Sequence, residues 1–139
     1  LDNSQNATFA GNVTISQQLR SIGSDTQTGA TVSANIGLKL RNTSDTNGNF
    51  QTITVGSNVT LTLSDFSNQN NAFESVVVSI LKSGGDRTIT WAVNGGSLKQ
   101  DAGMPDPFIA DSTTNPRVVE FWSYDKGVTV FARYVGQFS

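Results

Sequence analysis

Two quoted stretches decide the fold: Val76–Val93, VVVSILKSGGDRTITWAV, and Val118–Tyr134, VVEFWSYDKGVTVFARY. Each holds strand-length runs of β-branched and aromatic residues around a chain-reversing segment. That segment is Ser83-Gly84-Gly85-Asp86 in the first and Asp125-Lys126-Gly127 in the second. Two hairpins are expected. Within the first, Val76, Val78 and Ile80 share one parity while Val77 and Leu81 take the other, the pattern of an interior strand covered on both sides. Val118–Tyr124 and Val128–Val135 are likewise apolar on both faces.

Upstream, Thr31–Arg41 alternates almost without a break. Val32, Ala34, Ile36, Leu38 and Leu40 oppose Thr31, Ser33, Asn35, Lys39 and Arg41, which predicts one strand with a dry face. Asn42–Asn49 is a turn by composition. Ile53 and Val55 are separated from Val59, Leu61 and Leu63 by Gly56-Ser57-Asn58, a bulge or tight turn between two strands. Asp65–Asn71 reads as loop, and Asn94–Asn115 as the longest irregular stretch. In Leu1–Ser24, Phe9, Val13 and Ile15 share one parity, so a short strand is expected there. The first residue is Leu rather than Met, as expected of a trimmed chain or a piece of a longer one.

Turn signals every 8–12 residues, about eight strands, no helix and no repeat of fixed period predict an all-β fold. The expected architecture is an antiparallel β-sandwich, jelly-roll-like, over residues 25–139, preceded by an extended arm or shaft-like segment over 1–24. A sandwich of this size has one interior, yet several strands are apolar on two faces. Val76, Val78, Phe121, Trp122, Phe131 and Tyr134 are therefore the candidates for an assembly interface.

Composition narrows the chemistry. Hydrophobic residues are 36% and charged residues 14%, while Ser 16, Thr 16, Asn 13 and Gln 8 fill the difference. Such a chain suits strands with one wet face and many turns. Net charge is −2 and the nine basic residues are scattered singly, so no basic stripe exists to meet a phosphate backbone. With neither Cys nor His, disulfides, thiolate chemistry and the commonest general base and metal ligand are removed. No apolar run reaches the roughly 18 residues of a membrane span.

The remaining polar clusters are weak. Asp101, Asp106 and Asp111 share one loop, but their spacing of five matches no calcium loop; solvated turn carboxylates are expected instead. Asp45-Thr46-Asn47-Gly48-Asn49 lacks both the Gly position and the closing Glu of such a loop, so a hairpin turn is expected. Glu74 and Glu120 are the only glutamates, and both sit in predicted strands; nothing brings two acids together as a glycosidase requires. No catalytic residue, cofactor or metal is predicted. Trp91 and Trp122 are expected in the core rather than as sugar-stacking platforms. Phe66, Phe73 and Phe108 border loops and are the weak candidates for ligand contact. The sequons at Asn6, Asn12, Asn42 and Asn58 are no more than a Ser- and Thr-rich chain produces by chance.

Ala7-Thr8-Phe9-Ala10-Gly11-Asn12-Val13-Thr14-Ile15 resembles the shaft-type segment of trimeric bacteriophage tail-fibre proteins. The later pattern resembles small β-rich domains of phage fibre and other virion proteins. It runs through Val59–Leu63, Phe73–Leu81 and Gly84-Gly85-Asp86-Arg87-Thr88-Ile89-Thr90-Trp91 to Ser112–Asp125. The resemblance covers about 80 of the 139 residues. It implies a homotrimer on a virion surface that attaches to the particle or to a host. Other virion proteins and a host surface glycan are then the partners, without catalysis, nucleic acid or membrane insertion. Gln17–Gly23 departs from an uninterrupted shaft. A monomeric carbohydrate-binding module of a secreted protein is the alternative.

Overall fold

The computed structural model describes residues 50–69 and 71–139, and the backbone of residues 24–25, 31–32 and 36–39. The expected shaft, the turn at Asp45–Asn49 and the sequons at Asn6, Asn12 and Asn42 lie outside the described residues. The described chain is all β, with no helix. Its strands are β1 (Ser24–Asp25), β2 (Thr31–Val32), β3 (Ile36–Lys39), β4 (Phe50–Val55), β5 (Val59–Ser64), β6 (Glu74–Lys82), β7 (Arg87–Val93), β8 (Ser97–Gln100), β9 (Phe108–Ala110), β10 (Arg117–Ser123) and β11 (Thr129–Gln137).

Two sheets form. The larger runs β1-β4-β6-β10-β11-β8 with β2 also on β4, and the smaller runs β3-β5-β7-β9. The chain changes sheet at β2 to β3, β4 to β5 and β6 to β7, and strands so generated stack in parallel. Thr31 pairs Thr54 and Ile53 pairs Ile80 in the larger sheet, while Ile36 pairs Leu61 and Leu61 pairs Trp91 in the smaller. Side-chain and backbone bonds tie one crossing to the next. Ser83 N–H donates to the Val55 carbonyl at 2.8 Å, and Thr88 N–H donates to Asn58 Oδ1 at 2.9 Å.

This arrangement corrects three expectations. Val76–Val93 is not a hairpin, because β6 and β7 lie in different sheets. The alternating run Thr31–Arg41 is not one strand; Thr31–Val32 and Ile36–Lys39 also lie in different sheets. The sheets are not antiparallel throughout, since β4–β6, β5–β7 and β8–β11 are parallel. In all three cases period-2 patterning marks a strand but carries no information about which neighbour it pairs with. Val118–Tyr134 does form its hairpin, with Trp122 opposite Phe131 and a turn held by Lys126 at φ 64° and Gly127 at φ 78°. Antiparallel β10 and β9 then close the stack, β10 on β6 and β9 on β7. Both β8 and β9 fall inside the stretch expected to be irregular.

One core is shared by both sheets. Ile53, Val55, Val76, Val78, Ile80, Val119, Phe121, Val130 and Ala132 come from the larger sheet; Val59, Leu61, Leu63, Ile89, Phe108 and Ala110 come from the smaller. Trp91 packs against it, its ring 4.8 Å from Phe121 and 5.4 Å, edge-on, from Phe108. Tyr134 sits edge-on to Phe108 at 6.0 Å. These are the offset and T-shaped separations that aromatic quadrupoles favour.

Candidate functional site

The outer faces of the two sheets differ in chemistry. On the smaller sheet, Val59, Leu61 and Leu63 point inward, which leaves Thr60, Thr62 and Ser64 outside, with Thr88, Thr90 and Ala92 on β7. That face is short-chained and hydroxyl-rich, as a wetted sheet surface should be. On the larger sheet, register places Ser75, Trp122, Phe131 and Lys99 in one row and Phe50, Val77, Glu120 and Arg133 in the next. Phe50 is 41% exposed and Tyr124 51%.

Three rings on this face form a ladder. Trp122 and Phe131 stack at 5.6 Å with planes 15° apart, and Phe131 and Tyr124 at 5.8 Å with planes 17° apart. Near-parallel rings this close overlap as an offset stack; they do not lie edge to edge in one plane. The ladder therefore stands on the sheet as ribs and is no flat platform for a sugar. Beside it, Glu120 accepts a 2.6 Å bond from Arg133, with the Arg side chain 59% exposed. Glu120 is thus paired at the surface.

Of the assembly candidates, Val76, Val78 and Phe121 are wholly buried in the chain's own core and offer nothing to a partner. Tyr134 is half-buried against that core. Trp122, expected inside, is on the outer face with Phe131. Trp122 lies two residues from Glu120 on β10 and shares its outward face, because the interior side of β10 is taken by Val119 and Phe121. Among the ligand candidates, Phe108 is core, Phe66 packs against the core, and Phe73 is 54% exposed.

The acidic loop does not converge. Asp111 is taken by Arg117, with Nε at 3.1 Å and Nη2 at 2.6 Å, and it also accepts from Gln137 at 3.0 Å. The Arg117 bonds, first among the causes, hold its carboxyl below the usual aspartate value. No group of three metal-ligating side chains occurs among the described residues. Glu74 is buried on the inner face and accepts Ser67 N–H at 2.7 Å, while Glu120 is on the outer face, so the two glutamates share no cleft.

A second feature was not expected from sequence. The segment from Gln100 to Phe108 passes from the edge strand of the larger sheet to that of the smaller, and with β7 it encloses a pocket of about 210 Å³. Thr88, Ile89, Thr90, Trp91, Gln100, Pro105, Asp106, Pro107 and Phe108 line it. The Trp91 indole N–H is buried and has no hydrogen-bond partner among the described residues. In the sequence, only the length of the Asn94–Asn115 stretch hinted at this place.

No protein-family model, curated protein or solved structure matches the chain.

Proposed function

We propose that this chain is a structural and adhesive protein of a virion surface, a phage fibre or decoration domain that assembles as a trimer. The observation carrying this reading is the apolar outer face of the larger sheet: Trp122, Phe131, Tyr124, Phe50 and Val77, against the threonine-lined face opposite. Aromatic rings grouped on an outer sheet face, here bordered by Ser75, Lys99 and the Glu120–Arg133 pair, suit a surface that a partner covers. In a cyclic trimer the three copies of this face would meet around the threefold axis, each copy touching its two neighbours through a heterologous contact. The number three comes from the resemblance to fibre proteins. The two sheets, joined by one core, are read as a β-sandwich in which parallel crossings replace the antiparallel order of a jelly-roll. Multivalent display suits such a protein, since three weak contacts give strong attachment without a strong single site.

Sedimentation equilibrium of the full chain tests this. A trimer is the expected outcome, and a strict monomer at high protein concentration sinks the reading in favour of a monomeric carbohydrate-binding module.

A further inference from the structure

We infer that the open edge of the stack, β1 and β2 in the larger sheet and β3 in the smaller, is the docking edge for residues 8–15 of the same chain. Docked there, that segment adds one more parallel coil and shields the edge from pairing with other chains. The inference goes beyond the trimer reading and does not rest on it, because it gives these residues an intramolecular place.

The register uncovers a repeat, which corrects the expectation of no fixed period. Thr31 pairs Thr54 and Val32 pairs Val55, both at an offset of 23 residues. At that spacing one pattern occurs three times in the sequence. It reads Thr8-Phe9-Ala10-Gly11-Asn12-Val13-Thr14-Ile15, then Thr31-Val32-Ser33-Ala34-Asn35-Ile36-Gly37-Leu38, then Thr54-Val55-Gly56-Ser57-Asn58-Val59-Thr60-Leu61. Thr opens each copy, Asn holds the fifth place, and apolar residues hold the second, sixth and eighth. The second and third copies each carry the chain from the larger sheet to the smaller, β2 to β3 and β4 to β5. In the smaller sheet Ile36 pairs Leu61, two residues past its repeat mate Val59, a shift that preserves strand parity. The role of the repeated Asn is visible at Asn58, whose Oδ1 accepts Thr88 N–H from the next coil at 2.9 Å. Asn12 and Asn35 hold the same place in the pattern.

Only one end of the stack is left to fill. On the C-terminal side, antiparallel β10 lies on β6 and antiparallel β9 on β7, which ends the run of parallel coils. On the other side, β1 and β3 are the outermost strands of their sheets, and one backbone edge of each faces no strand among the described residues. A row of open peptide N–H and C=O groups is a template for a further strand. A coil with the same pattern matches it in length and in apolar parity, as stacked repeats require. The chain between Thr8 and Thr31 is as long as that between Thr31 and Thr54, so the coil closes with the reach that the next one uses. Covalent tethering gives it the advantage over a free strand.

The chain has no Cys, so pairs of introduced cysteines report the register directly. Neighbouring strands lie about 4.8 Å apart, inside the ~4.4–6.8 Å Cα separation that a disulfide spans. In the full chain, Thr31→Cys with Thr54→Cys is the calibrating pair. Thr8→Cys with Thr31→Cys is the test, and Thr14→Cys with Thr31→Cys is the out-of-register control. After mild oxidation of dilute protein, peptide mass mapping should find the 8–31 link within one chain, formed about as fully as the 31–54 link. Both should exceed the control about tenfold, since Cα atoms more than about 7 Å apart are not bridged. Amide hydrogen exchange of the unaltered chain is the second measure: the amides of Ile36–Lys39 that point away from β5 should be protected. The inference is overturned by an 8–31 yield no higher than the control, by 8–31 links found only between chains, or by fast exchange at those amides. Sedimentation equilibrium of the same samples separates the two readings. A trimer without the intrachain link removes this docking and leaves assembly; a monomer with the link removes assembly and leaves the docking.

Discussion

A β-carbon placed on Gly96 would fall 1.9 Å from the carbonyl oxygen of Gly127, so the two turns flanking β8 and β11 meet backbone to backbone. Ser97 N–H then donates to the Val128 carbonyl at 3.0 Å, which starts the parallel pairing of β8 with β11. On its other side, a β-carbon on Gly127 would lie 2.1 Å from the Phe66 ring. Three segments remote in sequence therefore close on one point, and no side chain fits between them.

Gly96→Ala and Gly127→Ala are each expected to destabilise the fold by about 2–3 kcal/mol, through overpacking and, at Gly127, through the added strain of φ +78°. Gly85→Ala is the control: nothing lies within 4 Å of its β-carbon, so the unfolding midpoint should hardly move. Urea titration followed by Trp fluorescence distinguishes them. Three equal midpoints would show that the turns part without cost.

Phe121 and Trp122 are neighbours in sequence and opposite in role. Phe121→Ala empties a wholly buried site and should cost about 3–5 kcal/mol. Trp122→Ser combined with Phe131→Ser removes the outer ladder from a half-buried face, so the chain should stay folded by circular dichroism. In sedimentation equilibrium that double variant should shift from oligomer to monomer. An oligomer that survives both substitutions places the interface elsewhere.

The sequence made the strands legible and left their partners hidden. Period-2 runs at Ile53–Val55, Val59–Leu63, Val76–Ile80 and Ile89–Val93 all became strands. Short polar breaks such as Gly56-Ser57-Asn58 serve a hairpin and a crossing between sheets equally well, so hairpins were the expectation where crossings occur. Repetition went unseen because the paired positions are offset unevenly, Ile53 with Ile80 but Leu61 with Trp91. Strands β8 and β9 were missed because they are short, and Pro105 and Pro107 lie between them. The two-faced apolar character of β10 and β11 corresponds to aromatic rings on both faces of the hairpin, Phe121 inside and Trp122 and Phe131 outside, although it could not say which face was inside. The pocket depends on where a loop lands, and no local pattern encodes that.

Arg117 links the loop before β10 to the core. Its guanidinium forms the paired bonds to Asp111 and lies 5.9 Å from the centroid of the Phe108 ring. With Arg117 only 18% exposed and Asp111 34%, the pair is partly shielded from solvent. Arg117→Ala is expected to cost about 1 kcal/mol, allowing for the remaining solvent screening. Thermal melts at low and high salt check this, and a loss that vanishes in high salt would reduce the contact to a surface ion pair.

Acid stability should report Asp111 and Asp125 together. Thr129 N–H, the leading cause, donates to Asp125 Oδ1 at 2.8 Å and with the Ser123 hydroxyl at 3.0 Å holds that carboxyl below its ordinary value. Arg117 does the same for Asp111. A carboxyl with a folded-state pKa below its unfolded value binds fewer protons when folded, so stability rises with pH across the interval between the two. The contribution is fully present above 3.8, the ordinary value, and is lost as pH falls from there through the lowered folded values. The melting temperature should accordingly hold from neutral pH down to that point and then drop. Asp111→Asn with Asp125→Asn removes both titrations, so the double variant should start from a lower melting temperature and lose less of it in acid. A wild-type and double-variant pair with parallel pH profiles would show that these two carboxylates do not set the acid limit.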